Sequence, residues 1–82
     1  MTVSIKVLGP GCPNCQKVEA VAKNAVASMG VEAEIVKVTD YAQIMSYNLL
    51  STPGLVINEK LVAAGRIPKE AEVMTWIGNA LN

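Results

Sequence analysis

The spacing of hydrophobic positions changes along the chain, and each change predicts a different element. Apolar and polar residues alternate from Val3 to Val7, which is the period of a half-buried strand. Between Pro13 and Gly30 the apolar positions recur every three or four residues, as on one face of a helix. They are Val18, Val21, Ala22, Ala25, Val26 and Met29. The opposite, solvent-facing side would carry Lys17, Glu19, Lys23 and Asn24.

The rest of the chain predicts three more strands and two more helices. Runs rich in β-branched or apolar residues indicate the strands, and Asp40 is a good N-cap for a short helix. Asn58-Glu59 forms a tight turn between the last two strands, and Pro68 suits the first turn of the last helix. The predicted elements are strands at 32–38, 55–57 and 60–63, and helices from Asp40 to about Tyr47 and from Pro68 onward. The order is therefore β-α-β-α-β-β-α.

Composition and charge narrow the class of protein. The chain has 82 residues, enough for a single domain spanning 1–82, and it is 51% hydrophobic without any Phe. Its net charge is zero and its Lys and Arg residues are not clustered, which argues against nucleic acid or an anionic membrane as the main partner. Lys6 and Gly9-Pro10-Gly11 interrupt any apolar region of a secretory signal, and no run is long enough to span a bilayer. We therefore expect a cytoplasmic protein.

The chemistry is concentrated in Gly9–Lys17, GPGCPNCQK, which contains the two cysteines of the chain. Proline is favoured at the first helical position, so Pro13 there would make Cys12 the N-cap and Cys15 the third helical residue. Backbone N–H groups and the helix dipole would then favour the thiolate of Cys12. We expect Cys12 to be the exposed nucleophile and Cys15 to resolve the mixed disulfide that it forms.

The two cysteines could also have a structural or a metal-binding role. A structural disulfide over so short a loop would stabilise the fold little. A zinc site needs about four ligands, but the chain has two Cys and no His. Two thiolates suffice for Cu(I), so a copper or heavy-metal binding module remains an alternative, as does an accessory domain whose redox chemistry is vestigial.

A second motif lies far along the chain. Thr52-Pro53-Gly54 immediately precedes an apolar strand, and Gly65-Arg66 follows the next one. With Cys12-Pro13-Asn14-Cys15 at the start of the first helix, these residues make the chain resemble the thioredoxin fold over almost its whole length. The likeness is greatest to the small thioredoxin-like and glutaredoxin-like redox-active disulfide proteins of archaea and bacteria. This resemblance implies a four-stranded mixed sheet with three helices.

The resemblance also implies roles for individual residues. Pro53 would be a cis-proline packed against the cysteine pair, and Thr52 would offer its backbone to an extended substrate segment. Gly65 would keep the substrate groove open, and Gly11 and Pro13 would border the groove at the cysteines. The protein would be a monomeric dithiol–disulfide oxidoreductase with no cofactor beyond the Cys12–Cys15 disulfide. It would act on protein disulfides and be recycled by a flavin-dependent partner similar to thioredoxin reductase.

The sequence departs from the family pattern around the cysteines, where Gly11 replaces an aromatic residue and Pro13-Asn14 replaces Gly-Pro, and in two further places. Thioredoxins bury an acidic residue beneath the resolving cysteine, whereas the first strand here offers only Ser4 and Lys6 as polar residues. Proton transfer at Cys15 must therefore differ. Glutaredoxins usually carry a Gly-Gly and acidic pair before the last helix, and Gly65-Arg66-Ile67-Pro68-Lys69 replaces it here. Use of glutathione is therefore doubtful, and we expect Arg66 and Lys69 to be solvated surface charges.

Overall fold

The computed structural model describes residues 3–11, 13–47 and 52–81. The element order is the predicted β-α-β-α-β-β-α. The strands are β1 (Val3–Leu8), β2 (Ala33–Val38), β3 (Gly54–Ile57) and β4 (Lys60–Ala64), and the helices are α1 (Pro13–Met29), α2 (Tyr41–Met45) and α3 (Glu70–Leu81). In the described part of the chain, no helix is long and apolar enough to cross a membrane.

The four strands form one mixed sheet in the order β2-β1-β3-β4. The first pair is parallel, with Val7 of β1 beside Lys37 of β2, and the other two pairs are antiparallel. Because β1 and β2 are parallel, their carboxyl ends meet at one edge of the sheet, where α1 begins. The predicted mixed sheet is therefore confirmed, and its topology places the start of α1 next to the ends of two strands.

The helices cover the two faces of the sheet unequally. Alternate strand residues, including Val3, Ile5 and Val7, face α1 and α3 and form the larger hydrophobic core. The residues between them face α2, where Leu8, Val38, Ile44 and Val56 form a smaller cluster. Aliphatic side chains dominate both clusters, as the absence of Phe requires.

Helix α1 follows its predicted bounds closely. It begins at Pro13 and ends at Met29, and Gly30 follows in the left-handed region with φ +67°. The predicted apolar stripe packs on the sheet, with Val18, Ala22 and Ala25 fully buried. One position of the opposite side differs from the prediction, because the Glu19 side chain is only 16% exposed. Glu19 contributes to the candidate site described below.

The short helix and the hairpin also form where they were predicted. Asp40 caps α2 by accepting a hydrogen bond from the backbone N–H of Ala42 at 2.9 Å, although the helix ends at Met45. Asn58 and Glu59 have φ of 50° and 67°, which are the positive values that a two-residue hairpin turn needs. The hairpin thus holds β3 and β4 in the expected antiparallel pair.

The start of the last helix corrects one prediction. Helix α3 begins at Glu70, so the buried Pro68 precedes it and is not part of its first turn. The backbone N–H of Lys69 donates to the Glu72 carboxylate at 3.0 Å, and Val73 N–H donates to the Lys69 carbonyl at 3.1 Å. Lys69 therefore occupies the N-cap position, and Glu72 reaches back to it as the third residue of a capping box.

Candidate functional site

Cys15 lies in the first turn of α1, at the carboxyl-end edge of β1 and β2. It is only 5% exposed and is disulfide-bonded in the structure. Pro13 is the first residue of α1, as predicted, and its side chain is exposed. Cys12 lies outside the described residues. Cys15 is therefore buried on the face of the sheet that α1 covers, whereas Pro13 at the start of the helix is exposed.

Gly9 is a residue of the site that the sequence did not reveal. It is buried, it donates its N–H to the Val38 carbonyl at 2.9 Å, and it lies directly against Cys15. A Cβ built on Gly9 would overlap Cys15 Sγ, and it would lie 3.8 Å from Thr52 Cβ. Gly9 therefore separates the cysteine from Thr52, and no larger residue fits between them without movement. The sequence predicted only a loop at Gly9-Pro10-Gly11, because a glycine needed for close packing looks the same as one needed for a turn.

The segment at Thr52-Pro53 completes this side of the site. The peptide bond between the two residues is cis, as the family resemblance led us to expect. Pro53 is buried and Thr52 is exposed. The Pro53 carbonyl accepts a hydrogen bond from the backbone N–H of Gly65 at 2.8 Å, and Gly65 has φ +71°. The structure thus brings Cys15, Thr52, Pro53 and Gly65 into one region.

An open pocket lies on another side of Cys15. Gly11, which has φ +92°, contributes to its rim. The pocket is lined by Val7, Gly9, Gly11, Cys15, Gln16, Glu19, Lys37 and Thr39. Cys15 therefore shares a pocket with charged side chains from α1 and β2. The sequence analysis missed this arrangement, which two signals could have revealed: Glu19 is four residues after Cys15, and Lys37 shares the strand parity of Ala33 and Ile35.

Lys6 is remote from this pocket, although it is the ionisable residue of β1. It projects from the face of the sheet that carries α2, where it donates to Tyr47 Oη at 3.0 Å and to Glu59 Oε1 at 2.5 Å. These two hydrogen bonds raise the Lys6 pKa to about 12, and the bond to Glu59 has the larger effect. Lys6 thus connects β1 to the β3–β4 turn, on the face of the sheet opposite to α1 and Cys15.

Arg66 is exposed at the surface, as expected, and it also forms an ion pair that the sequence did not reveal. Its guanidinium donates to both oxygens of the Glu72 carboxylate, at 3.0 and 2.9 Å, and lies 5.9 Å from the centroid of the Trp76 ring. The hydrogen bond to Glu72 raises the pKa of Arg66. The hydrogen bonds that Glu72 accepts from Arg66 and from the Lys69 N–H lower the Glu72 pKa to about 2. This exposed ion pair fixes the loop that follows Gly65 onto the start of α3.

The architecture also bears on the alternative of a copper or heavy-metal module. Such modules run β-α-β-β-α-β, whereas this chain has a second helix before β3 and ends its described part in a helix. Among residues 3–11, 13–47 and 52–81, no three His, Cys, Asp or Glu side chains come together as a site with three or more protein ligands would require. The fold therefore gives the alternative no support.

A buried cysteine in the first turn of α1, beside a Thr-Pro segment on a β2-β1-β3-β4 sheet, defines a thioredoxin-like protein. The family model described as thioredoxin domain matches residues 3–78. The chain belongs to this family.

Individual relatives agree with that assignment. The chain is 39% identical over 71 residues to a thioredoxin of Methanocaldococcus jannaschii, covering 87% of this chain and 81% of the relative. It is 35% identical over 71 residues to a thioredoxin of Methanothermobacter thermautotrophicus, covering 87% and 92%.

Solved structures are similar in fold at lower identity. Thioredoxin-2, described as a component of the malaria parasite protein secretion machinery, gives a TM-score of 0.71 at 14% identity, covering 95% of this chain and 82% of that one. The germline-specific thioredoxin Deadhead of Drosophila melanogaster gives 0.64 at 14% identity, covering 95% and 80%. These two likenesses establish the thioredoxin fold of the chain.

Proposed function

We propose that the protein is a dithiol–disulfide oxidoreductase that reduces or exchanges protein disulfides, with Cys12 as nucleophile and Cys15 as resolving residue. Membership of the thioredoxin family supports thiol–disulfide exchange as the class of function. A reducing compartment such as the cytoplasm suits this role, because dithiols there are kept available for exchange.

The observation that carries the proposal is the position of Cys15. It is buried in the first turn of a 17-residue helix, against Gly9 and close to Thr52-Pro53. Cys12 directly precedes this helix in the sequence, and the amino end of a helix stabilises an anion such as a thiolate. A shielded cysteine that follows a more reactive one by three residues is the arrangement that resolution of a mixed disulfide needs.

The exchange takes place in two steps. The Cys12 thiolate attacks one sulfur of the substrate disulfide, and the other substrate sulfur leaves as a thiolate that takes up a proton. The Cys15 thiolate then attacks Cys12 Sγ, and the bond to the substrate breaks with release of a second thiolate. Two electrons pass from the dithiol to the substrate, and a Cys12–Cys15 disulfide remains on the protein.

We further propose that the substrate segment lies along Thr52 and that Gly11, Pro13, Pro53 and Gly65 border it. Thr52 is exposed while Pro53 beneath it is buried, so the backbone at this point is accessible from one side. Gly65 has no side chain to narrow the approach, and its N–H is already used by the Pro53 carbonyl. An extended peptide could therefore pair with the Thr52 backbone as an added strand.

The reductant that we propose is a flavin-dependent enzyme similar to thioredoxin reductase, and not glutathione. Glutathione is anionic, and a cation near the groove would favour its binding. Arg66 follows Gly65 in the sequence, but both of its terminal nitrogens are held by Glu72. This pairing leaves Arg66 poorly placed to bind a second carboxylate.

The test is reduction of a disulfide-containing protein such as insulin by catalytic amounts of this protein. We expect turnover when a thioredoxin reductase and NADPH regenerate the dithiol, little turnover with glutathione, and none for Cys12→Ser. Regeneration by glutathione alone would assign a glutaredoxin activity instead. Failure to reduce the substrate under either condition, combined with sub-nanomolar Cu(I) binding, would replace the proposal with metal binding.

A further inference from the structure

The pocket beside Cys15 contains a half-buried carboxylate that the two-step exchange above does not yet use. Glu19 lies one helical turn after Cys15, so their Cβ atoms are neighbours on the α1 surface, roughly 5–6 Å apart in a regular helix. Both residues line the same pocket. The Glu19 side chain is 16% exposed, which is low for a carboxylate on a helix surface.

Two ammonium groups lie within ion-pair distance of this carboxylate. Glu19 Oε1 lies 3.4 Å from Lys37 Nζ, and Glu19 Oε2 lies 3.8 Å from Lys23 Nζ. Lys23 is one turn further along α1, whereas Lys37 comes from β2. Glu19 therefore lies between a lysine of the helix and a lysine of the strand, and both lysines remain more than half exposed. Among the described residues that line the pocket, Glu19 and Lys37 are the charged ones.

The sheet register explains why Lys37 reaches a helix-covered face. Lys37 is the register partner of Val7, and it follows Ala33 and Ile35 at alternate positions of β2. It therefore projects toward α1, at the carboxyl end of the strand where the pocket opens to solvent. Val7 itself lines the pocket but has no ionisable group. The charge beside Cys15 consequently comes from α1 and β2 and not from the central strand.

The resolving step needs a proton acceptor at this place. In the reduced protein, Cys15 must lose its proton before it attacks Cys12, because the thiolate and not the thiol is the nucleophile. Cys15 is almost fully buried, and the pocket opens to solvent beside it. The pocket, which Cys15 and Glu19 both line, has room for water.

We propose that Glu19 accepts the Cys15 proton through water in this pocket, and that Lys37 is the residue that positions Glu19. The proposal rests on the dithiol function proposed above and deepens it. The proton moves from Cys15 Sγ to Glu19, the freed electron pair forms the bond to Cys12 Sγ, and the substrate sulfur leaves as a thiolate. The proton then passes from Glu19 through the open pocket to solvent or to the departing thiolate.

The test follows the two exchange steps separately. Reduced protein is mixed in a stopped-flow instrument with the aromatic disulfide dithiobis(nitrobenzoate), which releases one coloured thiolate when Cys12 attacks and a second when Cys15 resolves. We expect Glu19→Gln to leave the first release unchanged and to slow the second about 100-fold, within the usual range for loss of a general base. The second release in this variant should also accelerate with rising pH, because hydroxide must replace the carboxylate.

Matched variants separate proton transfer from a structural effect. Glu34→Gln removes an exposed carboxylate from β2 and should behave as wild type in both steps. Lys37→Met should slow the second release by about tenfold, and Lys37→Arg should restore it, because arginine can also hold the carboxylate. The ion pairs of Glu19 involve exposed lysines and are worth little stability, so Glu19→Gln should fold.

Three results would overturn the inference. A Glu19→Gln variant whose second release has the wild-type rate and pH profile would show that Glu19 takes no part in proton transfer. Equal slowing of both releases would assign Glu19 a structural role. Absence of the first release from the wild-type protein would instead remove the dithiol function itself, so the two failures are distinguishable in one experiment.

Discussion

Gly9 lies against the sulfur of Cys15 so closely that a methyl group in its place would overlap that sulfur. The same methyl group would be in ordinary contact with Thr52 on its other side. A residue without a side chain thus lets the end of β1, the start of α1 and the Thr52-Pro53 segment approach one another.

Gly9→Ala should destabilise the oxidised protein by about 1–3 kcal/mol, which is the usual effect of overpacking a filled interior. The cause is steric, since either the Cys15 side chain or the backbone at Gly9 must move. Denaturant unfolding at neutral pH measures the free-energy difference.

Gly78→Ala is the matched control for Gly9→Ala. Its new Cβ would lie 4.0 Å from Met29 Cε, which is ordinary van der Waals contact, and Gly78 lies within α3. Alanine is the better helix former, so this variant should gain about 0.5–1 kcal/mol. If Gly9→Ala unfolds at the wild-type denaturant concentration, the close packing described for Cys15 is wrong.

Gly65→Ala should be less stable than wild type by about 1–2 kcal/mol, because a side chain disfavours the left-handed conformation. Gly65 has φ +71° and donates its N–H to the Pro53 carbonyl, so its backbone cannot easily change. Gly65→Asn should lose less, since asparagine tolerates this region better than alanine does. Thermal unfolding of the three proteins gives the ranking, and an alanine variant at least as stable as the asparagine variant would refute it.

The Arg66–Glu72 pair should make stability depend on acid pH. The Glu72 pKa falls from its ordinary 4.5 to about 2 in the folded protein, chiefly because Arg66 donates to the carboxylate. Its stabilising contribution is therefore fully present above about pH 4.5 and is lost as pH falls toward 2.

Urea unfolding of wild type and Glu72→Gln across this pH range checks that dependence. The wild type should be the more stable at neutral pH, and the gap should close between about pH 4.5 and 2. Because the pair is exposed, added salt should narrow the gap at neutral pH. In an Arg66→Gln background the pH dependence of the gap should be much weaker. A gap that stays constant down to pH 2 would show that Arg66 does not hold the carboxylate.

Local signals explain why much of the fold was predictable. Helix α1 is bounded by Pro13 and Gly30, each favoured at its own end of a helix, and its apolar stripe has a clear period. The turn at Asn58-Glu59 and the cap at Asp40 depend on a few adjacent residues. The pairing of strands followed from the family resemblance, because neither parallel register nor sheet order is visible in a short alternating run.

The features that the sequence did not reveal depend on tertiary contacts. Gly9 matters because Cys15 and Thr52 approach it from distant parts of the chain. Glu19 looked like an exposed residue on the polar side of α1 until the Lys37 side chain of β2 was placed beside it. Pro68 was expected in the first turn of the last helix, but the hydrogen bond between Lys69 and Glu72 caps a helix that starts at Glu70.

The central claim is that Cys12 attacks and Cys15 resolves, and intact-mass analysis of Cys15→Ser tests it most directly. Reduced Cys15→Ser is mixed with an excess of a disulfide-bonded peptide, with Cys12→Ser as the control. We expect a persistent one-to-one adduct through Cys12 in Cys15→Ser and no adduct in Cys12→Ser. Wild type should show only the internal disulfide. A Cys15→Ser protein that forms no adduct, or that reduces the peptide as fast as wild type, would contradict it.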